Sequence, residues 1–172
     1  MKHDGGDIEK KFIETHEAYS DAIFRFCFFK ISDRDKAYDL AQETFVRLWN
    51  YIRDGEKTID NERAFLYKIA RNLIIDEYRK KDSMSLDTLQ EGGFDVSSGG
   101  EKDIEMDVST REVVEAIHKL DDLYCEVALL RFVEGYPPRE IAEMLSVSEN
   151  VVSVRLNRAV KKLRVMLKVE NE

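Results

Sequence analysis

Pro137 to Arg164 reads PPREIAEMLSVSENVVSVRLNRAVKKLR, and the order of residue types dictates two helices meeting at a tight corner. Pro137 and Pro138 suit the first turn of a helix, where a missing amide hydrogen costs nothing. Ile141, Ala142 and Leu145 then recur at helical spacing and point inward. Ser146 and Val147 make the turn, and Ser148 stands where a side-chain oxygen caps a second, longer helix that buries Val152, Leu156, Ala159 and Leu163. Ala142 is small where two helices must cross closely, and Val147 plugs the corner, so the stretch is a helix-turn-helix. The outer face of the second helix offers Asn150, Ser153, Asn157, Arg158 and Lys161, with Arg155 near its edge. Those types read base edges in a groove or hold phosphates, although a plain solvated helix carries similar residues.

Charge separates the two readings once its distribution is followed. The chain of 172 residues has a formal net charge of −8, which opposes binding to phosphate. Residues 84–110 hold 7 Asp and Glu against 1 Lys, whereas residues 1–83 hold 17 acids against 16 bases and residues 111–172 hold 11 against 10. Most of the acidity therefore belongs to the middle of the chain. Asn150 to Val169 carries Arg155, Arg158, Lys161, Lys162, Arg164 and Lys168 with no acid, a local charge of +6 on one predicted helix. That is a cationic footprint on an acidic protein.

Working outward, the composition bounds the architecture. Apolar types make up 43% of the residues, charged types 36%, and only 2 prolines and 8 glycines are present; few segments alternate at period two. The expected fold is all-α: two small helical bundles joined by a flexible acidic linker. The linker is Met84 to Asp107, which holds four of the glycines and all seven acids of the middle stretch. Expected domains are residues 1–83 and 108–172, with 84–107 between them. No run approaches the roughly 20 apolar residues that cross a bilayer, and MKHDGGDIEKKF lacks the apolar stretch of a signal peptide, so a cytoplasmic protein without direct membrane insertion is expected. Cys27 and Cys125 lie far apart in apolar, helical surroundings and read as reduced core thiols.

In the first block, Ile8, Phe12, Ala18, Tyr19, Ala22, Ile23, Phe26 and Cys27 give one amphipathic helix over 8–31. A second helix is expected from Ser32, as cap with Asp35 completing a box, and its apolar stripe is Ala37, Leu40, Ala41, Phe45, Leu48 and Ile52. Its other face presents Asp39, Gln42, Glu43, Val46 and Asn50. Gly55 ends it. A third helix over 61–81 buries Phe65, Leu66, Ile69, Ala70, Leu73 and Ile74 and shows Lys68, Arg71, Asn72, Ile75 and Arg79 outside. The second block opens with helices over 108–120 and 123–133, the latter with Val127, Leu130 and Phe132 apolar and Gly135 as its stop.

Three stretches, DLAQETFVRLW (Asp39 to Trp49), AFLYKIARNLIIDEYRKKD (Ala64 to Asp82) and Leu120 to Arg164, resemble in order and spacing the signature stretches of extracytoplasmic-function sigma factors. The resemblance covers nearly the whole chain except the termini and linker, and implies a two-domain initiation subunit of bacterial RNA polymerase. It implies that Asp39, Gln42, Glu43, Val46 and Trp49 dock on the coiled coil of the largest polymerase subunit. Lys68, Arg71, Asn72 and Arg79 would meet the minus-10 element, and the loop Arg53 to Asp60 matches the family loop that captures an unstacked base during strand opening. Arg139, Ser148, Asn150, Ser153, Arg155, Asn157, Arg158 and Lys161 would meet the minus-35 element. Implied partners are core RNA polymerase, at that coiled coil and at its flap, promoter DNA, and an anti-sigma factor; no cofactor and no metal are implied. The chain departs from the family pattern at Ser146, where the turn commonly has Gly; at Asn150, Val151 and Val152, where it commonly reads Gly-Thr-Val; and at Phe65, often Trp. The missing threonine hydroxyl removes one family contact to DNA.

Three other functions compete. A helix-turn-helix regulator acting without polymerase explains the second block but leaves the Asp39 to Trp49 face without a purpose. An enzyme, such as a helical hydrolase, finds little support: His3, His16 and His118 are scattered, and neither metal-ligand spacing nor a phosphate-cradling glycine loop is present. A pure interaction module with the acidic linker as its ligand leaves the cationic helix unexplained.

Overall fold

The computed structural model describes residues 5–55, 59–85 and 108–168. Every regular element among them is helical, as composition and periodicity require: α1 (Gly5–Ile31), α2 (Arg34–Arg53), α3 (Glu62–Ser85), α4 (Val108–His118), α5 (Asp122–Ala128), α6 (Pro138–Leu145) and α7 (Glu149–Met166). The chain divides into two compact units, one within Met1–Gly99 and one within Gly100–Glu172. The body of the expected acidic linker, residues 86–107, lies outside the described residues, as do residues 56–58 of the α2–α3 loop.

In the first unit, α1 packs against α2 and α3, which also pack against each other. Ile23, Phe26, Leu48, Leu66, Tyr67, Ala70 and Ile74 form its buried centre. Each large apolar side chain removed from water here contributes about 1.5–3 kcal/mol. Tyr67 is fully buried, its ring edge-on to Phe26 with centroids 5.2 Å apart; the polar hydroxyl hides this core role from apolar periodicity. Ala18, assigned to the apolar face of α1 by its spacing, is exposed instead, because a single methyl gives α1 little reason to turn that way.

The junction of α1 and α2 corrects a second expectation. Ser32 does not cap α2. It takes a left-handed conformation at φ +57°, and its amide donates to the Phe28 carbonyl at 2.8 Å, which closes the end of α1. Asp33 is the cap of α2: its carboxylate accepts from the Lys36 amide at 3.1 Å. A serine and an aspartate in succession offer two cap candidates, and the geometry of the preceding helix end decides between them. The Tyr78 hydroxyl of α3 also donates to the Lys30 carbonyl. At the other end of α3, Thr15 donates to Glu62 at 2.8 Å while the Lys11 ammonium lies 2.7 Å from the same carboxylate.

In the second unit, Ala116, Ile117, Leu120, Cys125, Ala128, Ala159 and Leu163 pack together, flanked by Tyr124, Val133 and Leu167. The helix expected over 123–133 is α5 followed by a π-helical turn, Leu129–Val133. The wider turn rotates Phe132 out to 48% exposure, against its expected place among the apolar residues. Gly135, at φ +78°, stops the chain, and the Tyr136 amide returns to the Leu130 carbonyl at 2.9 Å. Pro137 then serves as the cap of α6, and Pro138 occupies its first turn.

Candidate functional site

The helix-turn-helix is built as its residue types require. Ile141, Ala142 and Leu145 of α6 are buried, as are Val152, Leu156, Ala159 and Leu163 of α7. Ser146 takes φ +54° and ψ +44°, the left-handed conformation that glycine adopts without strain, and the Val147 amide closes the turn on the Ala142 carbonyl at 3.1 Å. Ser148 caps α7, its hydroxyl accepting from the Val151 amide at 3.2 Å.

This packing leaves Asn150, Ser153, Asn157, Arg158 and Lys161 exposed along one arc of α7, with Arg139 exposed at the start of α6. Arg139, Arg158 and Lys161 have no carboxylate partner among the described residues, so their charge is available to an external anion. Arg155 differs. It is half-buried on the flank of α7, and its Nη1 is enclosed without a hydrogen-bond acceptor among the described residues. Not all of the +6 faces outward: the Lys162 ammonium reaches Asp121 at 3.0 Å and lies 5.3 Å from the centroid of the Tyr124 ring. Helical spacing alone did not separate Lys162 from Lys161.

In the first unit, Asp39, Gln42, Glu43 and Val46 share an exposed face of α2, with Val46 at 50% exposure. Glu43 is paired along the helix with Arg47 at 2.9 Å; Asp39 has no such pair among the described residues. Trp49 is half-buried, and its ring stands edge-on to Phe12 of α1 with centroids 5.1 Å apart. On α3, Lys68 and Asn72 are exposed, Arg71 is half-buried, and Arg79 is exposed with a long 3.8 Å contact to Asp76. Part of the loop expected to capture a base, 56–58, lies outside the described residues.

The remaining titratable groups suit packing rather than chemistry. Burial pushes the Cys27 thiol up to about 12, and desolvation lowers His118 below its ordinary value. Cys27 and Cys125 are free and buried. Among the described residues, no cluster of His, Cys, Asp and Glu is arranged to hold a metal, and no helix is long and apolar enough to cross a membrane.

A helical unit with an acid-and-amide face, followed by a helix-turn-helix unit with a cationic face, is the layout of the sigma-70 class. Residues 15–84 match the family described as sigma-70 region 2, and residues 110–163 match sigma-70, region 4. The chain is 30% identical over 171 residues to the ECF RNA polymerase sigma factor SigW of Bacillus subtilis, a match covering 91% of this chain and 89% of that one. It is 28% identical over 163 residues to SigX of the same organism, covering 91% and 84%. Its fold is similar to that of the sigma factor RpoE from Bartonella quintana, solved with the anti-sigma factor NepR (TM-score 0.74, 23% identity, 94% of this chain and 99% of that one). It is also similar to CnrH, solved with the cytosolic domain of CnrY (TM-score 0.65, 22% identity, 95% and 91%). The chain belongs to the extracytoplasmic-function family of RNA polymerase sigma factors, the subunits that direct transcription initiation at promoters.

Proposed function

We propose that the two units divide the work of promoter selection. The first docks on the coiled coil of the largest polymerase subunit through Asp39, Gln42, Glu43 and Val46, with Trp49 bracing that face from the α1 side. It meets the minus-10 element with Lys68, Arg71, Asn72 and Arg79. The second reads the minus-35 element in the major groove with Asn150, Ser153, Asn157, Arg158 and Lys161. Arg139, Ser148 and Arg155 flank that contact, and the polymerase flap engages the same unit. The chain supplies binding and orientation in the cytoplasm, while nucleotide addition belongs to the polymerase. Because fold neighbours were solved with anti-sigma factors, an anti-sigma factor is the expected regulator.

The observation that carries this reading is the pairing of opposite demands in one chain. The outward arc of α7 holds cations without internal partners, yet the protein as a whole has a charge of −8. Such a protein approaches duplex DNA weakly by itself, since phosphate affinity scales with the cations it brings. A cation-rich polymerase supplies the missing attraction.

Transcription in vitro with core polymerase tests it. Wild-type chain is expected to yield promoter-specific transcripts with core enzyme and little promoter binding alone, and Arg158→Glu with Lys161→Glu to abolish specific initiation. Tight, specific binding by the isolated chain, with no transcript from any promoter in the presence of core enzyme, would establish a stand-alone regulator instead.

A further inference from the structure

The α2 face is one wall of a cleft of about 730 Å³ between α1 and α2. From α1, His16, Ser20 and Phe24 line it at a spacing of four residues; from α2, Arg34, Tyr38 and Phe45 face them. Its floor is aromatic: the His16 and Phe45 rings lie 4.6 Å apart, and Tyr38 stands edge-on to Phe24 at 6.5 Å. Its rim is acidic, with Asp21, Asp35 and Asp39 around it. Tyr38 is 57% exposed, far more than a ring of that size needs for its own fold.

Two features identify what such a cleft takes. The carboxylates demand a cation, and a ring face flanked by carboxylates holds a guanidinium or ammonium by cation–π attraction and charge together. The protein already demonstrates the fit: the Arg34 guanidinium lies 5.9 Å from the centroid of the Phe24 ring. Tyr38, one helical turn beyond Arg34, offers a second ring face.

We propose that this cleft is the seat for a basic helix of core polymerase, and that one of its arginine or lysine side chains lies over Tyr38 with Asp35 and Asp39 as counter-charges. The proposal rests on the docking reading above and deepens it. The contact is a slot with walls from two helices, continuous with Asp39 and Gln42, and its selectivity for the partner comes from Tyr38 and from α1. The charge of the rim excludes the acidic middle of the chain itself as the occupant.

Binding of the full chain to core polymerase, followed by fluorescence anisotropy, separates the outcomes. Tyr38→Phe keeps the ring and is expected to bind within about twofold of wild type, whereas Tyr38→Leu keeps apolar bulk but loses the π face and is expected to weaken binding about tenfold. Asp35→Asn should weaken binding further at low salt than at high salt. All three side chains lie at the surface, and circular dichroism melts verify that the unit stays folded. Equal affinity of Tyr38→Leu and Tyr38→Phe would overturn the slot. So would a loss confined to anti-sigma binding with polymerase affinity unaltered. Failure of the wild-type chain to bind core polymerase would instead overturn the docking reading beneath it.

Discussion

Lys162 of α7 and Asp121 at the start of α5 are joined at 3.0 Å, and the same ammonium lies over the Tyr124 ring. The last helix is thereby clasped to the helix that opens the second half of its unit. One cation of the recognition helix is directed inward while its neighbour Lys161 remains free for DNA.

Lys161, Arg158 and Lys162 should therefore separate in a salt titration of the holoenzyme on a promoter fragment. Arg158→Ala or Lys161→Ala is expected to reduce the slope of log K against log salt by about 0.9, the contribution of one phosphate contact. Lys162→Ala should leave the slope unchanged and lower the stability of the unit by about 0.5 kcal/mol, as befits a pair this exposed. A reduced slope for Lys162→Ala would show that the clasp opens on DNA.

Glu43 is already paired with Arg47, and Asp39 is not. Asp39→Arg is expected to weaken association with core polymerase by tenfold or more, roughly the effect of a like charge at the centre of a contact. Arg47→Ala, which releases the Glu43 carboxylate, should tighten association about twofold, the reciprocal of an exposed i,i+4 pair. Equilibrium binding checks both, and a weakened Arg47→Ala variant would mean that Arg47 itself touches the partner.

Ser146 holds a left-handed conformation that costs a residue with a Cβ about 1–2 kcal/mol, partly offset for glycine by the greater freedom of its unfolded chain. Ser146→Gly should stabilise the second unit by about 0.5–1 kcal/mol and raise its melting temperature by several degrees, read by calorimetry. An unchanged or lowered midpoint would show that the serine is unstrained there.

Cys27 sits at 0% exposure with its thiol held well above neutral range. The thiolate is the reactive form, so alkylation at pH 8 should proceed only as fast as the first unit opens, and it should accelerate in step with the loss of helical signal in urea. Rapid modification of the native chain would contradict the burial.

Much of this was legible in the order of residue types. The helix-turn-helix announced itself because Ile141, Ala142, Leu145, Val152, Leu156, Ala159 and Leu163 all lie on one continuous stripe, and all are buried. The acid-and-amide face of α2 was legible for the same reason. The misses share a cause. Ser32 and Asp33 were interchangeable as caps until the end of α1 claimed the serine, Phe132 was rotated outward by a π turn that hydrophobicity does not encode, and Tyr67 was passed over because its hydroxyl disguises a core residue. None of the three could be settled within a single element.

Periodicity and charge along the chain were sufficient for the helices, for which face of each turns inward, and for the kind of partner the outer faces suit, because those depend on neighbours three and four residues apart. Which cations stay free was settled only when separate helices met. Lys162 finds Asp121 forty-one residues away, Trp49 is drawn to Phe12, and the aromatic cleft exists only because Phe24 and Tyr38 come from different helices. Contacts across such separations depend on how whole helices pack, and no local pattern carries that information.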